Sequence, residues 1–333
     1  MTTKKKMNYK KRLLRIGSSV MLVLIFLIGF GVINQRLVLA QELDALAAPG
    51  QLIEVNGRMM HLHCSGEGSP SVIIDAGNAD FSLSWQRVQT DLAQKTRVCT
   101  YDRAGYGWSD ATDGVHDAAH VVADLHSLLQ AEDSGPYLLV GHSLGGIHMQ
   151  LYALTYGEEV AGLVLVDSPP VFADFIDSTE FQSALQANNG FYNGMRLAMS
   201  SGLPRLFGPL LGDEMQPEVV SALPEIGPTY LTQVQRPEYW QTALSEANNV
   251  SQSAAQVRAY FNDEQPFGDL PLIMLSAGDQ PAEIAPMMVE GQTRQAQLSA
   301  KGSLRIIENS SHAMHLDAPA AIVQAVEDLI ISN

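Results

Sequence analysis

The sequence predicts an α/β protein: a mostly parallel sheet with helices on both faces and a helical segment inserted late in the chain. Three observations carry this. Short apolar runs of strand length alternate with longer runs of helical period. One of the strand-like runs, Tyr137–Val140, leads without a spacer into Gly141-x-Ser143-x-Gly145 and then into a helical stretch, Ile147–Tyr156. From Ser168 to about Gly268 the pattern changes to short helical pieces rich in Met, Phe and Leu, broken by Gly and Pro. A run of that length is too long for a plain loop and is expected to form a helical cap over the sheet.

The amino terminus differs from the rest. Residues 1–36 hold eight Lys/Arg and no acid, leaving 12 basic against 36 acidic residues beyond them. Such an acidic surface repels phosphate backbones, which argues against nucleic acid as a partner. From Ile16 to Gln35 there are 20 consecutive uncharged, mostly apolar residues. As a helix this run reaches roughly 30 Å, the thickness of a hydrocarbon core. Seven positive charges precede it, the pattern of a single-pass anchor with a cytoplasmic start and an external (periplasmic or extracellular) domain. The rival is a secretory signal cleaved near Ala40, after Val38-Leu39. The apolar run is longer than the roughly 7–15 residues of a signal h-region, and Arg36 interrupts the approach to the site, so a retained anchor is favoured. The expected organisation is a basic segment and anchor over 1–36, a linker over 37–50, and a folded domain over 51–333 whose cap spans about 168–268.

Within the domain the elements follow in order. Gln51–Val55 and Arg58–Cys64 flank Asn56-Gly57, a hairpin signal. Ser71–Asp75 is a buried strand, followed by the loop Ala76-Gly77-Asn78-Ala79-Asp80 and a helix around Trp85–Ala93. Thr96–Tyr101 is a strand that runs into Asp102-Arg103-Ala104-Gly105-Tyr106-Gly107-Trp108-Ser109. His116–Ala131 sets Val121, Val122, Leu125, Leu128 and Leu129 on one helical face. After the Ser143 segment come the strand Ala161–Val166, the cap, the strand Leu270–Ser276, the helix Ala285–Leu298, the strand Ser303–Glu308 and the helix Ala318–Ile331.

Strand, sharp turn and helix around Gly-x-Ser-x-Gly form the context of a nucleophile elbow, in which the two glycines let the arms close and the serine is held out at the strand end. On these residues the stretch 51–333 resembles the α/β-hydrolase fold family. The resemblance implies an eight-stranded, mostly parallel sheet and the chain order Ser, acid, His. It assigns Ser143 as nucleophile, His312 (after the last strand) as general base and acid, and Asp279 (beyond the strand that follows the cap) as the group orienting the imidazole. Asp167, after the preceding strand, is the alternative acid used in some relatives. The oxyanion hole implied is the backbone N–H of Leu144 together with that of Asn78. The family often has His-Gly where this chain has Ala76-Gly77, and its D-x-R-G-x-G-x-S loop carries Ala104 in place of an Arg; that loop is read as a structural turn bordering the site. His142 is read as a packed neighbour, and His315 as second to His312 for the base. His61/His63 and His116/His120 have no accompanying Cys or acid cluster and are not read as metal sites.

In this fold the second strand neighbours the fourth, so Cys64 and Cys99 are expected to face each other as a possible disulfide. The function implied is a serine hydrolase acting on an ester or similar acyl bond of a small-molecule substrate, without a cofactor. A serine at the elbow argues against haloalkane dehalogenase or epoxide hydrolase chemistry, which in similar folds employs Asp there. Lactonase, aminopeptidase or carbon–carbon bond hydrolase activity on the same triad, or a non-catalytic ligand-binding role, remain as alternatives.

Overall fold

The computed structural model describes residues 2–132, 135–207, 218–261 and 265–332. Its centre is an eight-stranded sheet: β1 (Gln51–Val55), β2 (Arg58–Ser65), β3 (Ser71–Asp75), β4 (Val98–Tyr101), β5 (Tyr137–His142), β6 (Val160–Val166), β7 (Leu272–Ala277) and β8 (Gly302–Ile307). The spatial order is β1-β2-β4-β3-β5-β6-β7-β8, and only β2 runs against its neighbours. The central strands β3, β5 and β7 are buried along their whole length, as their unbroken apolar runs require when helices cover both faces.

Helices α1 (Thr2–Asp44), α2 (Gln86–Leu92), α3 (Ala118–Gln130) and α4 (Leu144–Thr155) precede the cap. The cap contributes α5 (Ala173–Ile176), α6 (Thr179–Ser201), α7 (Leu203–Phe207), α8 (Glu218–Ala222), α9 (Gly227–Val234) and α10 (Pro237–Arg258), and α11 (Ala285–Ala296), α12 (Met314–Asp317) and α13 (Pro319–Ser332) complete the chain. Val122, Leu125, Leu128 and Leu129 of α3 and most of α4 pack on one sheet face with Leu139, Leu163 and Met274. Trp85, Val88 and Leu92 near α2 and Ile322, Val326 and Leu329 of α13 pack on the other. Local signals set the boundaries: Asp117 caps α3 by accepting the His120 N–H at 3.1 Å, and Gly202, in the left-handed region at φ 69°, ends α6.

The cap is held by aromatic packing. Phe81 stacks on Tyr230 at 5.1 Å, and Tyr106 meets Tyr239 edge-on at 5.0 Å. Cys64 and Cys99 stand directly opposite in the antiparallel β2–β4 pair and are joined in a disulfide.

One expectation is corrected at the amino terminus. The segment 37–50 is not a linker throughout, because α1 continues unbroken to Asp44. Leu37-Val38-Leu39-Ala40-Gln41-Glu42 contains no Gly or Pro to stop a helix, and the first break is Ala48-Pro49-Gly50. Among the described residues α1 is the one helix long and apolar enough to cross a membrane.

Candidate active site

Ser143 sits between β5 and α4 with φ 49° and ψ −120°, a strained conformation for a residue with a Cβ. The flanking glycines explain how the turn closes. A Cβ on Gly141 would lie 2.5 Å from the Gly145 carbonyl oxygen, and one on Gly145 would lie 2.5 Å from the Asp75 carbonyl oxygen. The Ser143 N–H donates to Val166 O at 2.9 Å, which ties the elbow to the end of β6.

The next residue along β6 is Asp167, and here the structure departs from the expected acid. His312 Nδ1 lies 2.7 Å from Asp167 Oδ2. Asp279 is exposed, and its backbone N–H donates to Ser310 O at 2.9 Å. Asp167 is fully buried, at φ 42°, and its carboxylate also accepts from the Ala277 N–H at 3.1 Å and from the side-chain amides of Gln280 at 2.8 Å and Gln292 at 3.1 Å. Burial resists ionisation of Asp167, but His312 and these donors outweigh it and hold the carboxyl below its ordinary range. The carboxylate paired with the His312 imidazole is therefore that of the strand before the cap, not that of the strand after it.

His312 is fixed from its other side. His142 Nε2 donates to the His312 carbonyl at 2.8 Å, and the two rings lie 4.8 Å apart. Burial, reinforced by repulsion from His312 and His315, pushes the His142 pKa well down, so His142 serves as a neutral strut. His315 stacks on Trp85 at 4.8 Å, and its Nε2 lies 3.5 Å from Asp80 Oδ2.

The loop after β3 abuts the serine: a Cβ on Gly77 would lie 3.3 Å from Ser143 Cβ. Leu144 is buried at the first position of α4, where a helix leaves its N–H groups unpaired. The Asn78 N–H donates to no acceptor among the described residues.

What holds this loop lies outside the motifs. Arg103, buried, donates to Ala76 O and Gly77 O at 2.7 Å each and pairs with Asp75 and Glu246 at 2.6 Å each. Glu246, from cap helix α10, also accepts from Asn78 Nδ2 at 2.9 Å and from the Tyr106 hydroxyl at 2.8 Å. Burial opposes the charge on Glu246, yet Arg103 keeps its carboxyl below the ordinary range. The 102–109 segment is thus a turn, as expected, but its Arg103 also braces the loop that follows β3. The loop motif that contains Arg103 does not disclose this role, and the one sequence signal for Glu246 is an acid on a helix face that is otherwise apolar or small (Tyr239, Ala243, Ala247, Val250).

His61 is buried against Asp102 at 2.7 Å, and His120 pairs with Asp117 at 2.6 Å. One group among the described residues has the composition to hold a metal ion: Asp80, His142 and His315, with ligand atoms within 4.8 Å of one another.

With this geometry in view, the chain belongs to the α/β hydrolase family, whose model matches residues 61–325. An uncharacterized protein of Schizosaccharomyces pombe is 32% identical over 198 residues, covering 50% of this chain and 36% of that protein. The chain spans less than half the length of the curated relatives it matches first. Among solved structures, an epoxide hydrolase of Vigna radiata superposes with a TM-score of 0.66 at 19% identity, covering 85% of this chain and 98% of that one. A thermophilic esterase of Thermogutta terrifontis superposes with a TM-score of 0.60 at 19% identity, covering 85% and 99%. At these identities the structural likeness speaks for the fold alone.

Proposed function

We propose that this protein is a serine hydrolase that cleaves an ester or similar acyl bond, with Ser143 as nucleophile, His312 as general base and acid, and Asp167 orienting the imidazole. The observation that carries the reading is the 2.7 Å bond from His312 Nδ1 to buried Asp167, the residue after Val166, whose carbonyl accepts the N–H of a serine strained at a strand–helix turn. With Nδ1–H donated to the carboxylate, Nε2 is left as the basic nitrogen that takes the serine proton. Ser143 attacks the acyl carbon, and the N–H groups of Leu144 and Asn78 receive the developing oxyanion. His312 then protonates the leaving oxygen, and the acyl-enzyme is released by water that His312 deprotonates. A hydroxyl rather than a carboxylate at the elbow supports acyl transfer over epoxide opening.

In the same reading α1 is a retained anchor that holds the domain outside the cytoplasm. The basic flank and the 20-residue uncharged run support it, and an oxidising compartment suits the Cys64–Cys99 disulfide.

The test is turnover by the full chain in detergent micelles against a series of p-nitrophenyl esters and a styrene-oxide-type epoxide. Ester hydrolysis that disappears in Ser143→Ala is expected. Epoxide opening without ester hydrolysis would replace the proposal, and ester hydrolysis unchanged in Ser143→Ala would remove Ser143 from it.

A further inference from the structure

The last turns of α1 do not hang free. Gly31, Gln35, Leu39 and Glu42 fall on one helical face; the first three are buried, and Gly31 and Gln35 meet the cap. A Cβ on Gly31 would lie 2.6 Å from Ser201 O, and one on Gly202 would lie 2.1 Å from Gly31 O, so α1 meets the α6–α7 elbow backbone to backbone. Gln35 donates to Gln235 O at 3.1 Å and accepts from Arg205 Nε at 2.8 Å. Arg205 also clasps Glu42 through both carboxylate oxygens, at 2.8 and 2.7 Å. These contacts fix the height of the elbow relative to the helix.

That height is within the apolar run. Gly31 lies four residues before Gln35, the last residue of the uncharged stretch, hence about 6 Å inside its outer end. Around this level the free side of α1 presents Phe30 and Ile33, exposed by 50% and 61%, and the α6–α7 elbow that meets it carries Leu197 and Leu203, exposed by 55% and 37%. Water is a poor partner for these groups, and a depth of roughly 5–10 Å is where interfacial helices bury such side chains. Resting on the reading of α1 as a membrane anchor, we propose that the α6–α7 elbow is a second membrane contact. Leu197 and Leu203 enter the boundary between headgroups and acyl chains, and the cap is held against the bilayer with lipid as the partner of this surface.

Both native cysteines are in the disulfide, so an introduced cysteine is the one free thiol. Full-length Leu203→Cys, Leu197→Cys and Ile25→Cys are each labelled with a small fluorophore and reconstituted into phosphatidylcholine vesicles containing lipids spin-labelled near the headgroup or deep in the chain. The elbow labels are expected to lose intensity to the shallow quencher more than to the deep one, and the Ile25 label the reverse. Elbow labels that neither quencher touches, beside a quenched Ile25 label, would overturn the membrane contact and leave the anchor standing. Elbow labels quenched more by the deep lipid would contradict the interfacial depth. An unquenched Ile25 label would remove the anchor reading and the elbow contact with it.

Discussion

Asp167 and Asp279 both follow a central strand by one or two residues, and only one of them faces His312. The chain positions alone do not separate them, because each strand end presents its loop to the same rim of the sheet. Coordinates separate them through neighbours far away in sequence: Gln280 and Gln292 supply amide donors to Asp167, while the Asp279 side chain turns to solvent. Replacing Asp167 with Asn is expected to lower kcat by about 10³–10⁴-fold, since an amide no longer selects the imidazole tautomer with Nδ1 protonated. Asp279→Asn is expected to leave kcat within a factor of about two, the range of an exposed surface change. Steady-state ester hydrolysis by the two variants checks both. The elbow turn at Ser143 and the place of His312 after the last strand follow from motif and chain order, which are local or ordinal properties; which carboxylate meets His312 depends on side-chain packing that no spacing encodes.

At the scale of elements, the strands and helices of the hydrolase domain were legible to within a few residues, since apolar period and turn chemistry are short-range. Two features were not. The sequence permits α1 to continue past Gln35, since 37–42 holds no Gly or Pro, but its docking on the cap through Gln35 and Glu42 is a tertiary effect. The brace between α10 and the loop after β3 joins Glu246 to Arg103 across 143 positions of sequence. Removing the Glu246 charge leaves buried Arg103 paired with Asp75 alone. Glu246→Gln is expected to lower stability by about 3–5 kcal/mol, read from urea denaturation midpoints. Because the Asn78 amide loses the charged one of its two acceptors and keeps Ala243 O, kcat is expected to fall by up to roughly 10²–10³-fold, the worth of one oxyanion donor. The disulfide ties β2 to β4 over 35 positions. A closed loop of that size constrains the unfolded chain by about 3–4 kcal/mol, so the Cys64→Ala/Cys99→Ala double variant is expected to keep its fold, by circular dichroism, and lose that much stability.

The whole molecule carries a pH signature. Burial pushes the pKa of His142 well down and that of His315 down, so the folded chain binds these protons less readily than the unfolded one. Below an unfolded value near ~6.5 the unfolded state gains protons that the folded state refuses, and stability falls as pH drops. Asp75, Asp102, Asp167 and Glu246 are shifted down because their partners outweigh burial. Their contribution is complete above the ordinary carboxylate range and is lost at lower pH, as they protonate. Denaturation midpoints are therefore expected to decline already between about pH 7 and 5 and more steeply below ~4. The first decline should shrink in His315→Asn; a profile flat down to pH 5 would contradict the buried neutral imidazoles.

The central claim is that Ser143 is an activated nucleophile and that Asp167 is the acid behind it. Covalent labelling of the full chain with a fluorophosphonate, followed by peptide mass mapping, tests it most directly. A single adduct on Ser143, absent in Ser143→Ala, formed far more slowly in Asp167→Asn and at the native rate in Asp279→Asn, is expected. An adduct on another residue, no adduct, or a rate that depends on Asp279 and ignores Asp167 would contradict it.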